Sequence, residues 1–162
     1  MRVFISYRRG DAVALAGRLY DRLDNRIGVG SVFMDHENIP AGQDFRLAIT
    51  DAITQSDVLL VLIGPKWLAL LEQFAASRDF VIEEIATALE HGVLVIPVLL
   101  GDTSMPQLSD LPSRIQRLAT RNALRLEPGE RFSSDFERLM QALSSAGFRS
   151  SLIQRIRSWL TR

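Results

Sequence analysis

The sequence predicts a single α/β domain built on a parallel sheet. Three observations carry that reading. Five short β-branched or aromatic runs alternate with longer stretches of helical period. The third run, residues 57–63, is apolar almost throughout, as a strand covered by helices on both faces requires. A length of 162 residues suits one compact domain with a short appendage and is too short for two ordinary ones.

Val3, Phe4 and Ile5 place the first strand over residues 3–6, and 12–24 is long enough for the helix that follows. A second strand falls over 31–35, a helix over 44–55, and the apolar third strand over 57–63. Trp67 with Leu68, Leu70 and Leu71 reads as a short packed helix in which Trp67 belongs to the core, with an assembly contact as its alternative. Residues 79–91 have the length and period of a helix, 93–99 form the fourth strand and 122–126 the fifth. Pro97 inside the fourth strand points to an edge position or an early strand end, because proline cannot donate to a ladder. A helix over 134–145 follows, and Gly147 is expected to close it. The domain then spans 1–146, leaving 147–162 as a tail. There Leu152, Ile153, Ile156, Trp159 and Leu160 recur at helical spacing beside Arg149, Arg155, Arg157 and Arg162, with no acid. That is a basic amphipathic helix, open to use as a linker, a membrane-surface contact or an oligomer contact.

Composition excludes several classes. With 47% hydrophobic and 23% charged residues the chain is globular. Equal totals of 19 basic and 19 acidic residues argue against nucleic-acid binding driven by whole-domain charge. The balance is nevertheless uneven: residues 1–102 carry 9 basic and 14 acidic residues, and 103–162 carry 10 and 5. Zero cysteines exclude a disulfide scaffold, a thiolate metal site and a cysteine nucleophile. The amino terminus lacks a signal-like apolar region, and no run reaches the roughly 18 apolar residues of a spanning helix, so a soluble, cytoplasmic chain is expected.

In a sheet of this kind ligands sit beyond the carboxyl ends of the strands, near the reversal of strand order. The places to search are 6–11, 35–42 and 64–78. No Walker loop occurs there. Gly28 and Gly30 precede the second strand, with Phe33 where a dinucleotide fingerprint needs its third glycine. A phosphoacceptor receiver would place acids where Ser6 and Gly64 stand. No Gly-x-Ser-x-Gly elbow exists, and His36 and His91 lack the spacing and carboxylate company of a metal site.

Four segments in order resemble the signature boxes of the Toll/interleukin-1 receptor (TIR) domain family. They are Phe4-Ile5-Ser6-Tyr7-Arg8-Arg9; Val32-Phe33-Met34-Asp35 with Ile39-Pro40-Ala41-Gly42; Val58 to Ile63 running into Gly64-Pro65; and Asp79-Phe80-Val81-Ile82-Glu83-Glu84-Ile85. The resemblance covers residues 1–146 and implies a flavodoxin-like five-stranded parallel sheet flanked by helices. It also implies two occupations, since many TIR domains are assembly modules while bacterial, plant and axon-degeneration members cleave NAD+.

Residue by residue, the resemblance puts Glu84 at the catalytic glutamate and Phe80 at the aromatic position one turn before it, where many enzymatic members have Trp. Helix geometry agrees: Val81, Ile82, Ile85, Ala88 and Leu89 form one apolar stripe, Glu84 lies on its flank beside Phe80, and Glu83 and Glu90 point away into solvent. Arg8 and Arg9 resemble the paired arginines that border the NAD pocket in the axon-degeneration member. Guanidinium groups suit a pyrophosphate, and a salt bridge is the competing use. Ser6, Tyr7 and Phe33 are candidate pocket residues, each with a structural role as its alternative. Residues 35–43 resemble the family's BB loop, with Asp35, Ile39, Pro40, Ala41 and Gly42 as an assembly surface and Asp35 ordering the loop.

The expected function is therefore an NAD+ nucleosidase, with NAD+ as substrate, no resident cofactor and no metal. It would be activated by self-association with other TIR domains in bacterial antiphage defence, beside a sensor module beyond the carboxyl terminus. The alternative is a non-enzymatic TIR adaptor or decoy. One carboxylate suffices for the chemistry, because nicotinamide leaves as a neutral molecule and needs no general acid.

Overall fold

A computed structural model of the chain describes residues 1–34, 42, 44–75 and 77–160, with residues 45 and 148–160 described as backbone only. Among these residues, five strands form one parallel sheet: β1 Val3–Ser6, β2 Val32–Met34, β3 Val58–Ile63, β4 Leu94–Leu100 and β5 Leu124–Leu126. Their order is β2-β1-β3-β4-β5, the flavodoxin-like arrangement. From β1 the chain winds one way to β2 and later the other way to β3, which opens a crevice beyond the carboxyl ends of β1 and β3.

The helices are α1 Arg9–Ile27, α2 Phe45–Thr54, α3 Trp67–Gln73, α4 Phe80–Glu90 and α5 Phe132–Leu160, with 3₁₀ stretches at Leu108–Asp110 and Ser113–Thr120. Asp44 and Asp79 cap α2 and α4 by accepting from backbone N–H groups of the first turn. Successive side chains of a strand point to opposite faces, so β3 feeds two cores. Leu59, Val61 and Ile63 pack with Ile53, Trp67, Leu71, Ile85, Leu89, Ile115 and Leu118 on the α2, α3 and α4 side. Val58, Leu60 and Leu62 pack with Leu19, Leu23, Phe132, Phe136 and Leu139 on the α1 and α5 side. Burial on both faces is the physical reason for the unbroken apolar run.

Two expectations change. Pro97 neither ends its strand nor lies in an edge strand: β4 runs to Leu100 and Pro97 is in register with Val61 of β3. Pairing with β5 begins only at Val98, so the sheet is open on that side at Pro97. Gly147 does not close the last helix, because α5 continues unbroken to Leu160. A glycine costs a helix about 1 kcal/mol relative to alanine without terminating it. An added Cβ here would lie 2.7 Å from Met1 Cε, so the bare backbone admits the amino-terminal side chain.

Gly64, after β3, has a tighter reason. An added Cβ would lie 2.5 Å from Asp11 Oδ2, and Asp11 accepts hydrogen bonds from Gly64 N and Lys66 N, both at 2.8 Å. The start of α1 is thereby tied to the loop after β3. Gly64→Ala is expected to displace Asp11 and cost about 1–3 kcal/mol, read from the urea unfolding midpoint. An unchanged midpoint would show that the contact yields without strain.

Candidate active site

A cleft of about 310 Å3 opens at the carboxyl end of β1, where the strand order reverses. Tyr7, Arg8 and Arg9 line it from the β1 loop and the start of α1, Leu70 and Phe74 from α3 and its end, and Phe80 and Glu84 from α4. A larger cleft of about 600 Å3 lies across Arg9 and Gly10, but among the described residues its carboxylates are those of Asp11, engaged by Gly64 and Lys66, and Asp102. The smaller cleft holds the unusual chemistry.

Glu84 is 5% exposed although it carries a carboxylate. The helical phase predicted the direction but not the depth: the residue sits among the buried positions of α4, not on a rim. Charged side chains are rarely buried to this extent without partners. Ser6 Oγ donates to Glu84 Oε2 at 2.6 Å. Glu83 turns away from this cleft by about 100° and accepts from Arg114 Nη1 at 2.6 Å and Nη2 at 3.3 Å. It is therefore ion-paired, not merely solvated, and its hydrogen bonds and charge hold the Arg114 guanidinium above its ordinary pKa.

Arg8 is 5% exposed, and Asp79 accepts from it through both oxygens, at 3.1 Å from Nη1 and 2.6 Å from Nη2. The guanidinium also lies 5.0 Å from the centre of the Trp67 ring. Asp79 Oδ1 accepts as well from Val81 N at 3.1 Å and Ile82 N at 3.3 Å. One carboxylate thus fastens the β1 loop to the first turn of the helix that bears Glu84. Arg8 borders the cleft as expected, but its guanidinium is directed to Asp79, the salt-bridge alternative.

Two candidates lie outside the lining of the cleft. Ser6 is 1% exposed and meets the site through its hydrogen bond to Glu84. Phe33 is in register with Phe4, shares its face of the sheet and packs on that core, with the Arg2 guanidinium 6.0 Å from its ring. Trp67 is fully buried, as the core reading required. Among the described residues no cluster of three or more His, Cys, Asp or Glu is arranged to hold a metal ion.

Residues 3–140 match the sequence profile of the TIR domain. The chain belongs to the TIR-domain family. A relative in Drosophila melanogaster, NAD(+) hydrolase sarm1, is 30% identical over 122 residues, which is 75% of this chain. The chain spans only 9% of that relative's length. Among solved structures, the TIR domains of the activated Roq1 resistosome superpose with a TM-score of 0.67 at 16% identity, over 88% of this chain and 98% of that one. A metazoan TIR-STING receptor from C. gigas, in complex with 2′,3′-cGAMP, gives 0.55 at 19% identity over 83% of this chain and 38% of that one. These structural likenesses establish a shared fold.

Within the TIR domain, Asp35, Ile39, Pro40 and Ala41 lie outside the described residues. Gly42 is exposed in a turn at φ 88°, a left-handed conformation that favours glycine. Sequence reasoning missed Asp79, Leu70, Phe74 and Arg78 as cleft residues. Asp79 was findable, since an aspartate directly before an apolar helical run is an N-cap signal. The seven residues of α3 are too few for periodicity to say which face meets a ligand.

Proposed function

We propose that this TIR domain cleaves the nicotinamide–ribose bond of NAD+, with Glu84 as the catalytic carboxylate. The observation that carries the reading is a buried glutamate lining the cleft at the β1/β3 reversal. The named activity of the Drosophila relative supports it. As the C1′–N bond breaks, its electron pair passes to the ring nitrogen and neutral nicotinamide departs. Positive charge then develops on the ribose, where a desolvated carboxylate is most effective. Water adds at C1′ and loses a proton to give ADP-ribose, or a hydroxyl or adenine nitrogen of the substrate adds to give a cyclic product. Phe80, 39% exposed and with the Arg78 guanidinium 5.7 Å from its ring centre, lines the cleft as the aromatic surface proposed for a planar ring of the substrate. Beside the Arg8–Asp79 pair, Arg9 and Arg78 also line the cleft, and their guanidinium groups are the cations proposed to meet the pyrophosphate.

Self-association belongs to the same proposal, supported by a fold shared with TIR domains of an activated resistosome, as does a setting in bacterial antiphage defence. Concentrated protein incubated with NAD+ should release nicotinamide, and activity per molecule should rise with protein concentration. Substitution of Pro40 or Gly42 should depress that rise, and enforced clustering should restore part of it. The checks are specific activity against concentration and particle size by light scattering. Flat activity from a strict monomer would remove the assembly claim. No nicotinamide at any concentration would favour the adaptor reading instead.

A further inference from the structure

We infer that Ser6 is a positioning residue for Glu84: its hydroxyl stays clear of the substrate and sets the direction of the carboxylate that meets it. The inference rests on the proposed role of Glu84. Ser6 ends β1 and Glu84 lies in the second turn of α4, 78 positions away in sequence, yet Oγ and Oε2 are 2.6 Å apart. Ser6 is 1% exposed and absent from the cleft lining, whereas Glu84 lines the cleft at 5% exposure. The hydroxyl thus approaches the carboxylate from the sheet side. Its backbone is fixed, because Ser6 is paired in register with Val61 of β3.

A glutamate side chain has three rotatable bonds, and a helix backbone alone leaves the carboxylate plane undetermined. Two devices narrow that freedom here. The Asp79–Arg8 pair places the start of α4 against the β1 loop, and the Ser6 hydroxyl holds one carboxylate oxygen with a short O–H···O bond, within the range of charge-assisted hydrogen bonds. Misplacing a reacting group by about 1 Å can cost on the order of a hundredfold in rate. A serine that merely satisfied a buried acid would alter stability without altering turnover selectively.

The test is steady-state nicotinamide release from NAD+ by Ser6→Ala and Ser6→Thr, with thermal melting of each variant. Ser6→Ala should lose about 10- to 100-fold in kcat with KM within about twofold of wild type. Ser6→Thr, which keeps the hydroxyl, should recover most of that loss. If Thr does not fold at this buried position, Ser6→Cys, a weaker donor, should fall between wild type and Ala. On a Glu84→Gln background, Ser6→Ala should cost nothing further.

A readout independent of turnover is the 13C-NMR titration of the Glu84 carboxyl. Removing a donor to the ionised form should raise its pKa in Ser6→Ala. The other charged groups lining the cleft, Arg8 paired with Asp79, Arg9 and Arg78, are the same in both proteins. A rise in KM at constant kcat would make Ser6 a substrate contact and overturn the inference, as would unchanged kcat with an unchanged titration. If the wild type releases no nicotinamide, the proposed function fails separately. The titration then decides alone: a raised pKa supports Ser6 as the partner that sets Glu84, and no shift overturns it.

Discussion

Glu84→Gln is expected to reduce nicotinamide release by about a thousandfold or more while melting within a few degrees of the wild type. The amide matches the carboxylate in size, and its oxygen can still accept from Ser6, so the packing of α4 is kept. Only the negative charge that the proposed mechanism sets against the ribose is lost. Because that charge acts chiefly where positive charge develops, the loss should appear in kcat more than in KM. Glu83→Ala is the matched control. It removes an ion pair between half-exposed side chains, worth no more than about 1 kcal/mol, and should leave turnover unchanged. In bacteria expressing the protein, any fall in NAD+ on phage infection should disappear with Glu84→Gln and persist with Glu83→Ala. Near-wild-type turnover of Glu84→Gln would end the catalytic assignment, and loss of activity in Glu83→Ala would point to the wrong face of α4.

Asp79→Ala should be the most destabilising single change near the cleft, by about 3–5 kcal/mol for the broken buried pair with about 1 kcal/mol more for the lost helix cap. The side chains of Arg8 and Asp79 are only 4% and 11% exposed, so removing the acid strands a buried guanidinium beside Trp67. A domain with about 5–15 kcal/mol of stability would lose a large share of it. Asp79→Asn separates the two contributions, since its amide oxygen can still cap α4 while the charge is gone. Urea unfolding of the three proteins gives the ranking wild type, Asn, Ala. A loss under about 1 kcal/mol for Ala would show that the pair contributes little and that α4 is held by its apolar stripe alone.

Much of this was legible in the sequence, for reasons that particular residues make plain. Val58 to Ile63 could only be a strand covered on both sides, and the apolar stripe of Val81, Ile82, Ile85, Ala88 and Leu89 fixed the phase of α4 and so separated Glu84 from Glu83. Burial depth was not readable, because it depends on what stands opposite. Only the folded sheet brings Ser6 to Glu84 and Asp79 to Arg8, pairs 78 and 71 positions apart. Arg8 looked like an anion ligand for the same reason: its competitor for that role lies on another element. Gly147 misled because a helix can carry a glycine through its interior when another side chain packs against the bare backbone, here that of Met1.

The two cores on either side of the sheet give the domain a division of labour. Everything that shapes the cleft from α3 and α4 is rooted in the core containing Trp67, Ile85 and Leu118, so changes there disturb the cleft and the fold together. The opposite core joins α1 to α5, where Arg18 lies 3.7 Å from the Phe132 ring, Arg22 lies 5.2 Å from the Phe136 ring, and Arg26 pairs with Glu137. This core reaches the cleft at its Ile5 and Tyr7 end, but the Arg18 to Arg26 turns of α1 and the Phe132 to Leu139 turns of α5 add stability without lining it. Sequence drift or engineered stiffening can accumulate in those turns without altering the lining of the cleft, and the reserve so gained can absorb destabilising change around it.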